Sequence, residues 1–381
     1  MLSGVYQVVY WTALQFSPFE GRDIVNELRS DIENVQKQGI PPKPTDGHLR
    51  FLHFDLDGIV NELRSDIESV ESEQFPAKLR KFATYDISAK QAMIDLTIHL
   101  RENNISLPLI KAFDRERSAP EICVAILTIN RPTTKLSFIT QSLSALLNRI
   151  SKPDFERIYM HVFNVDREPE SHTKLDLIRH LVPVTDLPMH KDERDSVKKY
   201  NRDLAEVLRI VNTWERCQHP LILEEDALAT LNWDREIDLA IEQIEAKYSS
   251  TNWLMAKLFT CRVNPPSRLA TYGINSYFHE YMSQALFINK VYLAEWAEYV
   301  DRAGMSDELE PVDHCIANFK EKKELQVPSF EPVIFQHVGI SSGLGHKTYD
   351  ETTDEFSWWF ESKFFLAEGE PIVFNSSIWD N

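Results

Sequence analysis

The sequence predicts a doubly wound α/β domain, with a mostly parallel sheet flanked by helices, behind a helical amino-terminal region. Three observations lead there. Ile122 to Ile129 (ICVAILTI) is a continuous apolar run, the composition of a central strand covered on both faces. Amphipathic helical patterns and further apolar runs then alternate as far as residue 259. Upstream of residue 115 the periodic segments are helical.

The first element, MLSGVYQVVYWTALQF, is an apolar run broken by Gln7, Thr12 and Gln15. It has no basic flank and is shorter than the roughly 20 residues that cross a bilayer, so it reads as a weak membrane or core segment. Residues 23–35, DIVNELRSDIENV, return at 58–70 as GIVNELRSDIESV. Ile24, Leu28, Ile32 and Val35 in one copy, and Ile59, Leu63, Ile67 and Val70 in the other, fall on one helical stripe. Two copies are too few for a solenoid and read as two packing helices or as a duplicated exon in an imperfect gene model. QGIPPKPTDG between them is a loop by composition. Residues 75–113 add one or two helices and end in the charged, proline-terminated DRERSAP. A boundary there gives a helical region at 1–115, an α/β domain at 116–349, and a tail at 350–381 packed on the core.

Within the α/β domain, Pro132 and Thr133 open a helix whose face is Leu136, Ile139, Leu143, Leu146, Leu147 and Ile150. Strands follow at 157–163 and around Leu181 to Val184. A long helix at 193–216 turns Val197, Tyr200, Leu204, Val207, Leu208, Val211 and Trp214 inward. Then come the strand Leu221-Ile222-Leu223, a helix carrying Ile237, Ala240, Ile241 and Ile244, and the strand WLMAKLF at 253–259.

A net charge of -18 argues against broad attraction to nucleic acid or to an anionic membrane face. A phosphate-bearing ligand must therefore be held locally, by a metal or a few placed basic groups. The four cysteines lie far apart with no CxxC pair, which leaves the redox compartment open. Asn104-Ile-Ser and Asn375-Ser-Ser would accept glycans if the chain reached the secretory lumen.

The chemistry-bearing stretch is LILEEDAL, residues 221–228, which puts Glu224, Glu225 and Asp226 at the end of a buried strand. Ligands of open α/β sheets bind beyond such ends. Residues two apart in an extended segment point to one side, so Glu224 and Asp226 can face one ligand. Enclosed adjacent carboxylates need a cation or a donor, and a hard divalent ion with substrate phosphates meets that need. A solvated turn, with Asp226 or Thr230 capping the next helix, is the other reading.

From Cys123 to Lys347 the chain resembles nucleotide-sugar glycosyltransferases of the GT-A fold. Two related groups are similar to it: the post-GPI-attachment factor 4 family, which transfers N-acetylgalactosamine to GPI glycans, and the N-glycan N-acetylglucosaminyltransferase IV family. The resemblance lies in AILTINRPTTKLSFITQSLSALL, in LEEDA, and in Phe335-Gln336-His337-Val338-Gly339 followed by Ser341 and Ser342. NWLMAKLF and SQALFINKVYLAEWAEYV look more like the GPI-directed group, which is the reading adopted. PVDHC and FQHVGISSGLGHK look as much like the N-glycan group. The GPI-directed enzymes carry a transmembrane hairpin where this chain has a short polar stretch between Cys261 and Tyr281. The N-glycan enzymes carry a carbohydrate-binding domain where this chain has a short tail. Both have an amino-terminal anchor that is not evident here.

The resemblance implies in-line displacement at an anomeric carbon, with UDP-GalNAc or UDP-GlcNAc as donor, a glycan as acceptor, and Mn²⁺ or Mg²⁺ as cofactor. It implies the Golgi lumen, with membrane association, and no nucleic-acid partner. Asp226 becomes the first metal ligand, joined by Glu224 and His337, while Glu224 or Glu225 contacts metal-bound water or the donor ribose. Thr128, Asn130 and Arg131 line the nucleotide pocket, with Arg131 on diphosphate oxygens. Lys347 closes over the phosphates, and Lys199, Asn201 and Asp203 reach toward the donor. Asp313 is the expected catalytic base, with Glu225 as a second catalytic carboxylate. Each has a plainer structural reading: Arg131 a surface residue before Pro132, His337 a core histidine, Asp313 a helix-start carboxylate, and the 199–203 face solvated. Trp358, Trp359 and Phe360 either stack on sugars or anchor the tail. A silent glycan-binding relative, or a scaffold assembled through its first helices, is the alternative class of function.

Overall fold

The computed structural model describes residues 56–379 except 77–78, 106, 108, 111–120, 132–133, 156, 216, 261–272, 276–281, 341–348, 351–354 and 357–369. The amino-terminal apolar run, the first copy of the duplicated helix, the boundary near residue 115, Pro132 and Thr133, Ser341, Ser342, Lys347 and the 358–360 aromatic run lie outside the described residues.

The second copy of the repeat forms α1 (Leu56–Glu71), and its stripe residues Leu63, Ile67 and Val70 are buried. α2 (Arg80–Glu102) is one continuous helix that buries Phe82, Ala89, Met93, Leu96 and Leu100. Both helices share a single apolar core with the sheet that follows.

β1 (Ile122–Thr128) is buried along its whole length, as expected of a central strand. It pairs in parallel with β2 (Ile158–Asn164) on one side and with β4 (His219–Glu224) on the other. α3 (Phe138–Asn148) crosses between β1 and β2. It starts later than Pro132, because Thr134 and Leu136 close a turn and Ser137, still extended, gives its amide to Asp86 on α2. α4 (Leu175–Leu181) occupies the chain before β3 (Val184–Asp186), so the third strand begins only where the helix's Leu181 leaves off. α5 (Ser196–Asn212) begins at Asp195, whose carboxylate accepts from the amides of Val197 and Lys198.

β5 (Ala227–Ala229) follows the acidic trio and leads to α6 (Trp233–Lys247) and β6 (Met255–Lys257), the latter shorter than the apolar run around it. Beyond lie β7 (Gly273–Asn275), β8 (Ala285–Ile288), α7 (Leu293–Met305), α8 (Val312–Lys323), β9 (Ser329–Glu331) and β10 (Phe335–His337). The tail adds the pair β11 (Tyr349–Asp350) and β12 (Glu355–Phe356), and a final turn of helix, α9 (Ser376–Trp379).

The main sheet is 8-stranded, in the order β3-β2-β1-β4-β8-β6-β9-β7. Pairing is parallel from β3 through β4 and again at β6–β9, and antiparallel at β4–β8, β8–β6 and β7–β9. The chain winds outward from β1 through β2 to β3, then returns to the other side of β1 as β4. The crevice beyond β1 and β4 is thus a topological switch point. A disulfide joins Cys123 in β1 to Cys217 just before β4, with Cα atoms 6.0 Å apart, and Cys315 is a buried free thiol.

Candidate active site

A cavity of about 650 Å³ opens where β1 and β4 end. Part of its lining comes from Thr128, the last residue of β1, with Asn130 and Arg131 beyond it, and from Glu224, the last residue of β4, with Glu225 and Asp226 beyond it. Leu127 of β1 stands opposite Glu224 of β4, so the sheet register brings the two strand ends level. The acidic trio is held from the far end of the chain as well. β5 pairs antiparallel with β10, which puts His337 opposite Ala227, and Asp226 O accepts from Val338 N at 2.9 Å.

The three carboxylates have three different sets of partners. Glu225 is buried, with Oε1 accepting from Arg131 Nε at 2.6 Å and Oε2 accepting from Thr128 Oγ1. Asp226, also buried, takes Arg131 Nη2 on Oδ2 at 2.9 Å, and His337 Nε2 lies 3.2 Å from the same oxygen. Glu224, partly exposed to the cavity, accepts on Oε1 from Tyr200 at 2.8 Å and Ser283 at 3.0 Å. Arg131 also lies over the ring of Phe138, 5.0 Å from its centroid. Gly339 completes the packing, since a Cβ there would fall 2.1 Å from Asp226 Oδ2.

These surroundings pull the acids apart in strength. Burial would lift Asp226, but His337 and Arg131 outweigh it and hold the carboxyl well below the usual range. Burial lifts Glu225 to about 7 in spite of Arg131 and Thr128. Burial, then the charge of Asp226, raises Glu224 as well. Burial and Glu224 push the Tyr200 phenol far above its ordinary value, which keeps it a hydroxyl donor. One firmly ionised carboxylate, Asp226, therefore stands beside two that hold a proton more readily.

The remaining expected residues are placed as follows. Asn130 gives its amide N–H to Asp166 Oδ2 at 2.7 Å and its side chain to Ser171 O at 3.0 Å. Lys199 Nζ reaches Val165 O at 2.5 Å and Asp203 Oδ2 at 2.5 Å, and burial lifts Asp203 to about 6 despite that partner. Asn201 gives its amide to Glu310 O at 2.7 Å. Asp313 lies across the cavity in the first turn of α8, with Oδ1 accepting from His314 N at 3.0 Å. The structure thus brings Thr128, Arg131, Glu224, Glu225, Asp226 and His337 into one cluster and sets Asp313 on the part of the cavity lining that α8 supplies. Arg131, expected on diphosphate oxygens, is bonded to the acidic trio. Tyr200, expected on the packing face of its helix, turns its hydroxyl to Glu224.

His172 and Ser283 were not anticipated. His172 Nε2 lies 2.9 Å from Thr128 Oγ1, which extends the Glu225 network to the loop after β2. Nothing local in the sequence marks either residue, because each meets its partner only through the fold.

The cluster fits a hard divalent cation in one respect. Asp226 Oδ1 is buried and has no hydrogen-bond partner among the described residues, an acceptor that a cation or a donor would satisfy. Among those residues no group of three or more histidines, cysteines or carboxylates is arranged to hold an ion. A cation here would take Asp226, with Glu224 beside it, and draw its other ligands from water and phosphate, as Mg²⁺ and Mn²⁺ do.

A family model described as GPI-N-acetylgalactosamine transferase PGAP4 matches residues 122–335. Among curated proteins no match is found. Among solved structures, glycosyltransferase GlyE of Streptococcus pneumoniae TIGR4 in its apo form aligns at 12% identity and TM-score 0.32, over 55% of this chain and 45% of that one. TarS 1-349 of S. aureus aligns at 14% identity and TM-score 0.37, over 56% of this chain and 59% of that one. A second TarS structure aligns at 13% and 0.36, over 56% and 36%. This chain spans less than two thirds of each.

Proposed function

Because the chain belongs to the GPI-N-acetylgalactosamine transferase PGAP4 family and is therefore a glycosyltransferase, we propose that it moves an N-acetylhexosamine from a UDP-sugar to the glycan of a GPI anchor. The observation that carries the proposal is the acidic end of β4, with Asp226 kept ionised by Arg131 and His337 at the edge of a cavity of about 650 Å³.

Mn²⁺ or Mg²⁺, when bound, would neutralise the charge that develops on the departing diphosphate. Asp226 and Glu224 are the residues to hold it, with His337 fixing Asp226 from behind. Arg131 keeps Asp226 and Glu225 in place. Both Glu225 oxygens are engaged, so Glu225 acts through Arg131 and Thr128 rather than on substrate. Thr128 and Asn130 line the donor side, with Lys199 held near them through Val165 and Asp203. Asp313, across the cavity, takes the proton from the acceptor hydroxyl as it attacks the anomeric carbon.

The buried disulfide suits an oxidising compartment and supports a lumenal, Golgi setting. No helix among the described residues is long and apolar enough to cross a membrane. Membrane association therefore rests on the family alone.

The test is UDP release from a panel of UDP-sugars with and without Mn²⁺, beside calorimetric UDP binding. Metal-dependent release from UDP-GalNAc, abolished by Asp226→Ala, is the expected result. Preference for UDP-GlcNAc would move the chain to the N-glycan reading. Absence of binding with and without metal, unchanged by the variant, would leave the scaffold reading.

A further inference from the structure

The backbone on either side of Asp226 hangs on one hydroxyl. Ser142 Oγ, buried in the middle of α3, lies 2.5 Å from Glu225 O and 3.0 Å from Ala227 O. A serine hydroxyl has a single hydrogen, so the two carbonyls share it in a three-centre bond. The carbonyl between them, Asp226 O, is held separately by Val338 N. A helical serine commonly returns its hydroxyl to a carbonyl of its own preceding turn. Ser142 instead gives its hydroxyl to the turn that carries Glu225 and Asp226.

α3 is itself anchored from behind. Asp86 Oδ1 on α2 accepts from Ser137 N at 2.8 Å and Gln141 Nε2 at 3.1 Å, while its other oxygen pairs with the buried Lys90 at 2.6 Å. Ser144, as buried as Ser142 and two residues along the same helix, gives its hydroxyl to Ala89 O of α2 at 2.9 Å. At the start of α3, Phe138 supports Arg131, the guanidinium that joins Glu225 to Asp226. One helix thus reaches the acidic loop twice, through its backbone and through its counter-cation.

We propose that Ser142 is a positioning residue of the donor site, fixing the 225–227 backbone so that Asp226 and Glu224 meet the donor diphosphate and its cation in register. The role rests on the UDP-sugar reading above. It makes α2, which precedes the family-matched segment, the support of the residue that sets the site.

The paired serines supply the test. Ser142→Ala is expected to weaken UDP binding in the presence of Mn²⁺ about 5- to 10-fold, the scale of one lost hydrogen bond, and to raise the donor KM without raising the acceptor KM. It should also speed amide hydrogen exchange across residues 225–229. Ser144→Ala removes an equally buried hydroxyl from the same helix and should leave UDP affinity and that exchange unchanged, whatever it does to the melting temperature. Equal losses in both variants, following their melting temperatures, would reduce Ser142 to a packing residue. An unchanged affinity and exchange in Ser142→Ala would overturn the proposal outright. If the wild-type protein binds no UDP, the donor reading fails on its own account, and the exchange comparison alone decides whether Ser142 holds the loop.

Discussion

Gly339 leaves no room for a side chain beside Asp226. A Cβ there would sit 2.1 Å from Asp226 Oδ2 and 3.0 Å from Arg131 Nη1, nearer than unbonded atoms pack. Gly339→Ala is expected to displace the carboxylate from Arg131 and lower UDP affinity at least ~10-fold, as loss of a positioned charge does, with both oxygens of Glu225 still engaged. Calorimetry checks it. His172 carries a second expectation. Burial lowers it to about 4, so the folded protein prefers the neutral ring while the unfolded chain titrates near 6.5. The stability this contributes is present above pH 6.5 and is lost as pH falls toward 4, by on the order of 2 to 3 kcal/mol. His172→Asn, which keeps a donor for Thr128, should flatten that fall; denaturant titrations at pH 7 and 4.5 measure the difference. At this scale the place of the acids at a strand end was legible, because the apolar run of β4 marks it, whereas His337 was singled out through the resemblance of its FQHVG motif. His172, Tyr200 and Ser283 were not legible, since their partners stand 44, 24 and 59 residues away.

The helices before β1 show what an element can hide. Asp86 and Lys90 are spaced i,i+4 on α2, the pattern of an exposed surface pair, yet both are fully buried and 2.6 Å apart. Asp86→Ala would leave the ammonium buried with Asp66, at 3.7 Å, as its remaining carboxylate among the described residues. A cost of about 3–5 kcal/mol is expected, and the double change Asp86→Leu with Lys90→Met should cost less than the single one. Urea unfolding of the three proteins decides it. The alternation of strand and helix was readable through β6 because its runs are long and apolar. β5, β7, β9 and β10 are three residues each, below the length at which a pattern separates strand from turn. α4 escaped for a similar reason: its seven residues resemble the approach to a strand.

Across the whole molecule, the net charge of -18 and an acidic donor site make anion binding dependent on placed cations. Arg131 and His337 are joined to the acidic trio and Lys199 to Asp203, while Arg167, which also lines the cavity, gives Nη1 to Lys191 O at 3.3 Å. The Cys123–Cys217 link closes a loop of 94 residues that contains β2, β3, α3, α4 and α5. On the chain-entropy account, such a loop stabilises by about 4.7 kcal/mol. Reduction with dithiothreitol is therefore expected to lower the melting temperature measurably, and scanning calorimetry of the reduced and alkylated protein tests it. The cysteine spacing alone could not give this pairing, because only the register of β1 with β4 brings the two residues together.

The β5–β10 pair has a consequence for biosynthesis. His337 is translated 111 residues after the aspartate whose carboxylate it meets at 3.2 Å. While the ribosome is still short of that codon, the nascent chain can have β1, β2 and β4 in hand but not the partner strand of its acidic turn. The acidic turn is therefore among the last parts of the cavity wall that the growing polypeptide completes, and a product stalled upstream would carry β1, β2 and β4 with the acidic turn still unpaired.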